Sequence, residues 1–279
     1  MAVKLSIFTT ITDPRIRGDN WKSAFRCFEV LADELVIVDG SSSMSPDSGF
    51  SHPDMKVIVS KWPQEFTWEF IGKQFQRGYE ACTGDAVIHA DIDFLFHDKD
   101  FEAIRLAAKK MLDEHLPAMS FYKYQFILPD RYNLKSRLVI MVNKRDFGER
   151  IKFNSGGDLA QPSLDGEYLN PNVVMESGIP FYNYEKILKT EDQIAKDQGR
   201  MERAYFRRFG KYQMGSDGTD ENALAKWVAA QYGKLNKPHK HIKLEEHPIW
   251  IQDVIKNLNS RQWGYSAFKW GENDYVKGR

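Results

Sequence analysis

The chain lacks an excess of either charge: 39 Lys and Arg stand against 39 Asp and Glu in 279 residues. A general binder of nucleic acid or anionic membrane carries a basic excess, so nucleic acid is not an expected partner. Cysteine is scarce. Cys27 and Cys82 are the only two, and both fall in apolar patterns of helical spacing. That favours buried reduced thiols over a disulfide or metal site and fits a cytoplasmic location. No run approaches the ~20 apolar residues of a membrane span. The opening "MAVKLSIFTT" has one Lys and a short strand-like apolar run, so the parts of a signal peptide are missing. Internal repeats and low-complexity tracts are missing too, while a hydrophobic content of 42% is that of a folded chain.

What is present is an alternation of strands and helices. "KLSIFTT" reads as a strand, and "NWKSAFRCFEVL" follows with Trp21, Ala24, Phe25, Phe28 and Leu31 at helical spacing behind Asn20 or Asp19 as cap. "ELVIVDG" is a short, nearly all-apolar strand of the kind covered on both faces. A Ser/Pro/Gly/Asp-rich loop leads to "MKVIVS", then to a helix over 67–83 with Gly84 placed to stop it. "GDAVIHADIDFLF", residues 84–96, is the fourth strand, and a helix over 100–115 comes next. This order predicts an α/β fold with a mostly parallel, doubly wound sheet. Residues 1–116 form one half and 117–279 a second, strand-then-helix half with a C-terminal extension, without a clean linker between them.

Ligands in such sheets sit beyond the carboxyl ends of the strands. Asp39 ends the second strand there, and Asp91 and Asp93 end the fourth. Two residues apart on a strand, Asp91 and Asp93 project to one side and can converge on one cation. A hard divalent ion held by one or two carboxylates completes its shell with water and substrate phosphates. The pattern alone is weak: Asp is 22 of 279 residues, so about one or two D-x-D triplets arise by chance. Asp98-Lys99-Asp100 is such a decoy. A role in turn capping or pairing with Lys stays open for Asp91 and Asp93 on these grounds.

"GYEACTGDAVIHADID", residues 78–93, resembles the nucleotide-sugar glycosyltransferases of the GT-A fold, especially their family 2-like group. Gly78, Cys82, Gly84, Asp85, Asp91 and Asp93 stand in that register. "ELVIVDGSS" resembles the same family's second strand, and "LSIFTTITD" its first. The resemblance covers about the first 100 residues. It implies a Rossmann-like central sheet flanked by helices, and Mn2+ or Mg2+ on Asp91 and Asp93. It also implies a UDP-sugar or other nucleoside diphosphate sugar as donor, and base contacts from Asp39 and the Thr9-Thr10 loop. The family's usual Arg-Asn before the helix Gly is replaced by Phe75-Gln76, which leaves Lys73 and Arg77, four apart on one helical face, as cations for the diphosphate or as a solvated face.

Downstream, Glu191-Asp192 in "KTEDQ" stands where the resemblance places a general base, a carboxylate that would take the proton of an acceptor hydroxyl. The same residues also suit the start of a helix. The resemblance also implies a His from the C-terminal part as third metal ligand, for which His247 is the candidate, an imidazole suiting Mn2+ better than Mg2+; a hydrogen-bonded loop histidine before Pro is the other reading. Trp263 and Trp270, in an aromatic tail, are candidates for a glycan acceptor or membrane-edge contact, since sugar C–H faces stack on indole. The expected function is a metal-dependent glycosyltransferase acting on a glycan or other hydroxyl acceptor. The alternatives are a sugar-nucleotide pyrophosphorylase, whose Gly-rich basic loop is absent from "FTTITDPRIRGDN", and a non-catalytic carbohydrate-binding module.

Overall fold

In β1 (Leu5–Ile11) successive side chains leave on opposite faces. Leu5, Ile7 and Ile11 enter one apolar core, and Phe8 enters another. β2 (Glu34–Asp39) repeats the division, with Leu35 and Ile37 on one side and Val36 on the other. Strands apolar on both faces need cover on both. α1 (Trp21–Leu31) covers the first face with Phe25, Phe28 and Leu31; α2 (Trp68–Ala81) covers the second with Ile71, Phe75 and Tyr79. Each such side chain contributes about 1.5–3 kcal/mol on burial. α2 also lies unusually close to β1, because a Cβ at Gly78 would stand 2.6 Å from the Phe8 ring.

The computed structural model describes residues 3–42, 52–153, 161–184 and 186–266. The remaining elements, in chain order, are β3 (Met55–Val59), β4 (Ala86–His89), β5 (Phe94–Leu95), α3 (Phe101–Asp113), β6 (Ala118–Leu128), β7 (Arg131–Asn143), α4 (Lys144–Phe147), β8 (Ile151–Lys152), β9 (Ser163–Leu164), β10 (Glu167–Tyr168), β11 (Met175–Asn183), α5 (Glu191–Phe209), α6 (Asp220–Leu235), β12 (Lys240–His241), α7 (Ile249–Lys256) and α8 (Trp263–Ser266). Among the described residues the main sheet has nine strands in the order β3-β2-β1-β4-β7-β6-β11-β5, with β12 added to β7. β3, β2, β1 and β4 are mutually parallel. This is the Rossmann-like half expected from the sequence, with helices on both faces.

Beyond β4 the sheet is mixed. β7 runs antiparallel to β4 and to β6, while β11 is parallel to β6. One expected element divides in two: the strand read across 84–96 stops at His89, turns through Asp91–Asp93, and resumes as β5 at the opposite edge, antiparallel to β11. The Phe94 N–H donates to the Asp91 carbonyl at 2.9 Å and closes that turn.

Helix boundaries follow local chemistry. Thr190 caps α5 by accepting from the Gln193 N–H at 3.3 Å, while the Gln193 side chain accepts from the Thr190 N–H at 2.9 Å. Cys27 and Cys82 are buried free thiols, and burial pushes each up to about 12. Trp263 is buried in a small core with Ile194 and Trp227, its ring 4.8 Å from that of Trp227. It is therefore a packing residue rather than an acceptor or membrane contact. Trp270 lies outside the described residues. No described helix is long and apolar enough to cross a membrane.

Candidate functional site

β1 lies between β2 and β4, so the chain crosses over at the carboxyl end of β1, the place where an open α/β sheet leaves a crevice. A cavity of about 200 Å³ opens there, lined by Thr10, Arg17, Asp19 and Trp62 from the first half and by Lys186, Lys189 and Asp197 from the second. Asp91 and Asp93 both reach this cavity from the turn after β4. A larger chamber of about 620 Å³ adjoins it and shares Thr12, Arg17, Trp62 and Asp197 with it.

The inner wall is an ion network drawn from three distant segments. The Lys189 ammonium, almost fully buried, binds Asp197 at 2.6 Å and also binds Asp19. The Arg17 Nε lies 3.2 Å from Asp197 and 3.6 Å from Asp19. Burial alone would raise the Asp197 pKa, yet Arg17 and Lys189 outweigh it and hold the carboxyl down at about 2. The Arg17 guanidinium is held above its usual range in return: burial lowers it, and Asp197 and Asp19 more than compensate. Asp19 thus ties the loop to Lys189; it does not cap α1, whose N-cap residue is Asn20.

On the inner cavity four carboxylates face three cations, a formal excess of one negative charge. Asp19 and Asp197 are bound by Lys189 and Arg17; Asp91 and Asp93 bring the cavity its other two carboxylates, the donor type that a hard divalent cation takes. Beside them the His89 Nε2 lies 3.3 Å from an Asp91 oxygen, and its ring packs against Phe8 and Phe75. His89 is therefore a packed strand residue. Two carboxylates with room for water and substrate oxygens fit Mg2+ or Mn2+. Among the described residues no group of three His, Cys, Asp or Glu is placed to hold a metal, so any such ion would take its other ligands from water and substrate.

Several expected residues lie elsewhere. His247 is 0% exposed, with its Nδ1 2.7 Å from the Tyr184 hydroxyl and its ring against Phe126. Burial holds its pKa at about 3. It is a core histidine and not a third metal ligand. Lys73 and Arg77 sit on the exposed face of α2, with Arg77 donating to Ser60, and neither lines the cavity. Thr10 lines it, whereas Thr9 alternates to the other face and is fully buried. Asp39 is buried and accepts from the Ser41 N–H at 2.8 Å, shaping the loop after β2 without lining either chamber. Glu191 is exposed and lines neither chamber; Asp192 lines the outer one and pairs with Lys196 at 2.8 Å.

Arg17, Asp19, Lys186, Lys189 and Asp197 carry no motif of their own. Their only signal is the charge density of "DPRIRGD" after the first strand and of "KILKTEDQIAKD" around the start of α5.

No protein-family model matches the chain, and no curated protein matches it. Among the solved structures that resemble the chain, three show the level of likeness. The mannosyltransferase PcManGT from Pyrobaculum calidifontis, in complex with GDP-Man and Mn2+, is 13% identical over 85% of this chain and 77% of its own, with a TM-score of 0.38. Glucosyl-3-phosphoglycerate synthase from Mycobacterium tuberculosis, with Mn2+, UDP and glucosyl-3-phosphoglycerate, is 11% identical over 77% and 82%, with a TM-score of 0.41. S. aureus TarS 1–349 is 13% identical over 99% and 92%, with a TM-score of 0.38. Likeness at this level adds nothing to the sheet order and site geometry, on which the architecture rests.

Proposed function

We propose that the chain is a metal-dependent glycosyltransferase of the GT-A type that moves a sugar from a nucleoside diphosphate donor, a UDP-sugar, to an acceptor hydroxyl. The observation that carries this reading is the convergence of Asp91 and Asp93 with Arg17, Lys186 and Lys189 on one cavity at the crossover point of the sheet. Residues 1–116 supply most of the donor site, and residues 117–279 supply the acceptor side.

Asp91 and Asp93 hold Mn2+ or Mg2+, which when bound neutralises charge on the leaving diphosphate. Arg17 and Lys189 take the role first expected of Lys73 and Arg77: their fixed charges face the diphosphate and stabilise it as it departs. The base lies against Thr10, Ile71, Phe75 and Trp62 on the inner wall. Of the acids on α5, Asp197 is too strongly held in its ionised form by two cations to accept a proton well. Asp192, on the acceptor-side chamber, is the proposed general base.

The test is turnover of a panel of nucleotide sugars with Mn2+, with and without acceptors, by wild type and Asp93→Asn. Wild type is expected to release nucleoside diphosphate, and the variant to lose about 10²-fold or more in rate with its melting temperature kept. Undiminished turnover by Asp93→Asn would remove the metal assignment. Binding of sugars without turnover of any donor would favour a carbohydrate-binding module.

A further inference from the structure

Arg200, on α5, differs from the other cations around the outer chamber. Arg17 is paired with Asp197, Lys196 with Asp192 at 2.8 Å, and Arg203 with Asp220 at 2.8 Å and Glu65 at 3.2 Å. Among the described residues Arg200 makes no ion pair, and its one hydrogen bond is a long 3.5 Å contact to the Pro63 carbonyl. Its Nε is buried without an acceptor. Its guanidinium lies 4.6 Å from the Phe66 ring centre and 5.4 Å from that of Trp62, which fixes its position and offsets part of its desolvation. Burial, and then Arg17, keep its pKa below the ordinary arginine value despite Asp197 and Glu65. A half-buried cation left without a counter-ion is costly unless a ligand supplies one.

We propose that Arg200 is an anion-binding residue whose partner is a phosphoryl group held in the outer chamber beside Arg17. The planar guanidinium fork matches phosphate oxygens in pairs, which an ammonium does not. Trp62 and Arg17 line both chambers, so an anion at this boundary reaches the donor site on one side and the acceptor space on the other. The phosphoryl group belongs either to the donor's diphosphate or to a phosphate on the acceptor. That choice rests on the glycosyltransferase reading; the anion site itself does not.

The experiment is titration calorimetry of the full chain in EDTA with inorganic phosphate, pyrophosphate and UDP, beside melting curves without anion. Arg200→Gln is expected to weaken the anions that wild type binds by about ten- to a hundredfold. Its melting temperature should equal or exceed that of wild type, because an unpaired cation has been removed. Arg203→Gln, which breaks two ion pairs, should give the reverse: a lower melting temperature and affinity within about twofold of wild type. Arg200→Lys, keeping charge without the fork, should fall between. Phosphate displaced by saturating UDP belongs to the donor site; phosphate that still binds beside UDP marks an acceptor phosphate.

Wild-type affinity in Arg200→Gln overturns the proposal, as does a wild type that binds none of the three probes. A variant that unfolds overturns it as well, since Arg200 would then be structural. Phosphate, pyrophosphate and UDP all bound equally by wild type and Arg200→Gln would sink the anion site and, with UDP still bound, leave the glycosyltransferase reading standing. Pyrophosphate bound through Arg200 without any nucleotide binding does the opposite.

Discussion

At the amino ends of β1 and β2, Glu34 is enclosed: one carboxylate oxygen takes Lys56 at 2.6 Å and the Thr83 hydroxyl at 2.8 Å, and the other takes Ser6 and the Thr83 N–H. At the carboxyl ends of the same strands, Asp19 and Asp197 share Lys189 and Arg17 along the wall of a cavity. Both clusters keep carboxylates ionised inside the molecule. Burial pushes Glu34 up, yet Lys56, Ser6 and Thr83 bring it down to about 2, the same level as Asp197. The first cluster is closed, with every oxygen satisfied by the protein itself. The second borders open space: Asp91 and Asp93 line the inner cavity and Arg200 the outer one, with the Arg200 Nε buried and without an acceptor among the described residues. A shifted pKa therefore does not by itself separate structural from functional charge; the adjoining space does.

The contrast breaks most visibly at Asp192, on the rim of the open cluster. Helix capping belongs to Thr190 and Gln193, and the Asp192 pair with Lys196 is exposed. Asp192→Asn should therefore slow transfer about 10²- to 10⁴-fold while costing at most about 0.3–1 kcal/mol of stability. Single-turnover transfer beside a melting curve reads both. Near-normal transfer with a slightly lower melting temperature puts the base elsewhere.

Glu34→Ala, in the closed cluster, should cost about 1–3 kcal/mol in urea unfolding at neutral pH, because it leaves the Ser6 hydroxyl and the Thr83 donors without their acceptor, while the half-exposed Lys56 turns to water. UDP affinity of the folded fraction should not change. The sign with pH follows from the lowered pKa: the Glu34 contribution is complete above its ordinary 4.5 and disappears as pH falls toward about 2. Wild type should accordingly lose stability faster than Glu34→Gln across that window. A parallel pH dependence would mean that Glu34 is not held ionised. The smallest effect belongs to Lys73→Gln, which should leave UDP affinity within about twofold of wild type, as a solvated residue does. A larger loss by calorimetry would return the diphosphate contact to α2.

The alternation of strands and helices through residue 116 was legible because buried parallel strands read as apolar runs and their helices as amphipathic ones. Asp91 and Asp93 were legible as carboxylates at the carboxyl end of a strand. Their turn was not, since "AVIHADIDFLF" is apolar on both sides of the pair and nothing local says that Phe94 and Leu95 belong to another edge of the sheet. The ion network was illegible for a different reason. Arg17, Asp19, Lys189 and Asp197 meet through tertiary contacts between residues some 170 to 180 apart in the chain, and no periodicity records such a meeting. His247 misled because a histidine before proline looks the same in sequence whether it faces solvent or, as here, Tyr184 and Phe126.

The turn after β4 is also fastened at its far side. The Tyr184 N–H donates to the Asp93 carbonyl at 3.2 Å, and the next pairs, Asn183 with Phe94 and Tyr182 with Leu95, continue the attachment. The backbone that carries Asp93 is thus laced to the stretch that leads directly into Lys186 and Lys189. In solvent deuterium, the amides of Tyr184 and Phe94 would act as paired timers: each exchanges when this lacing opens, and a ligand that grips both sides of the cavity slows the two together.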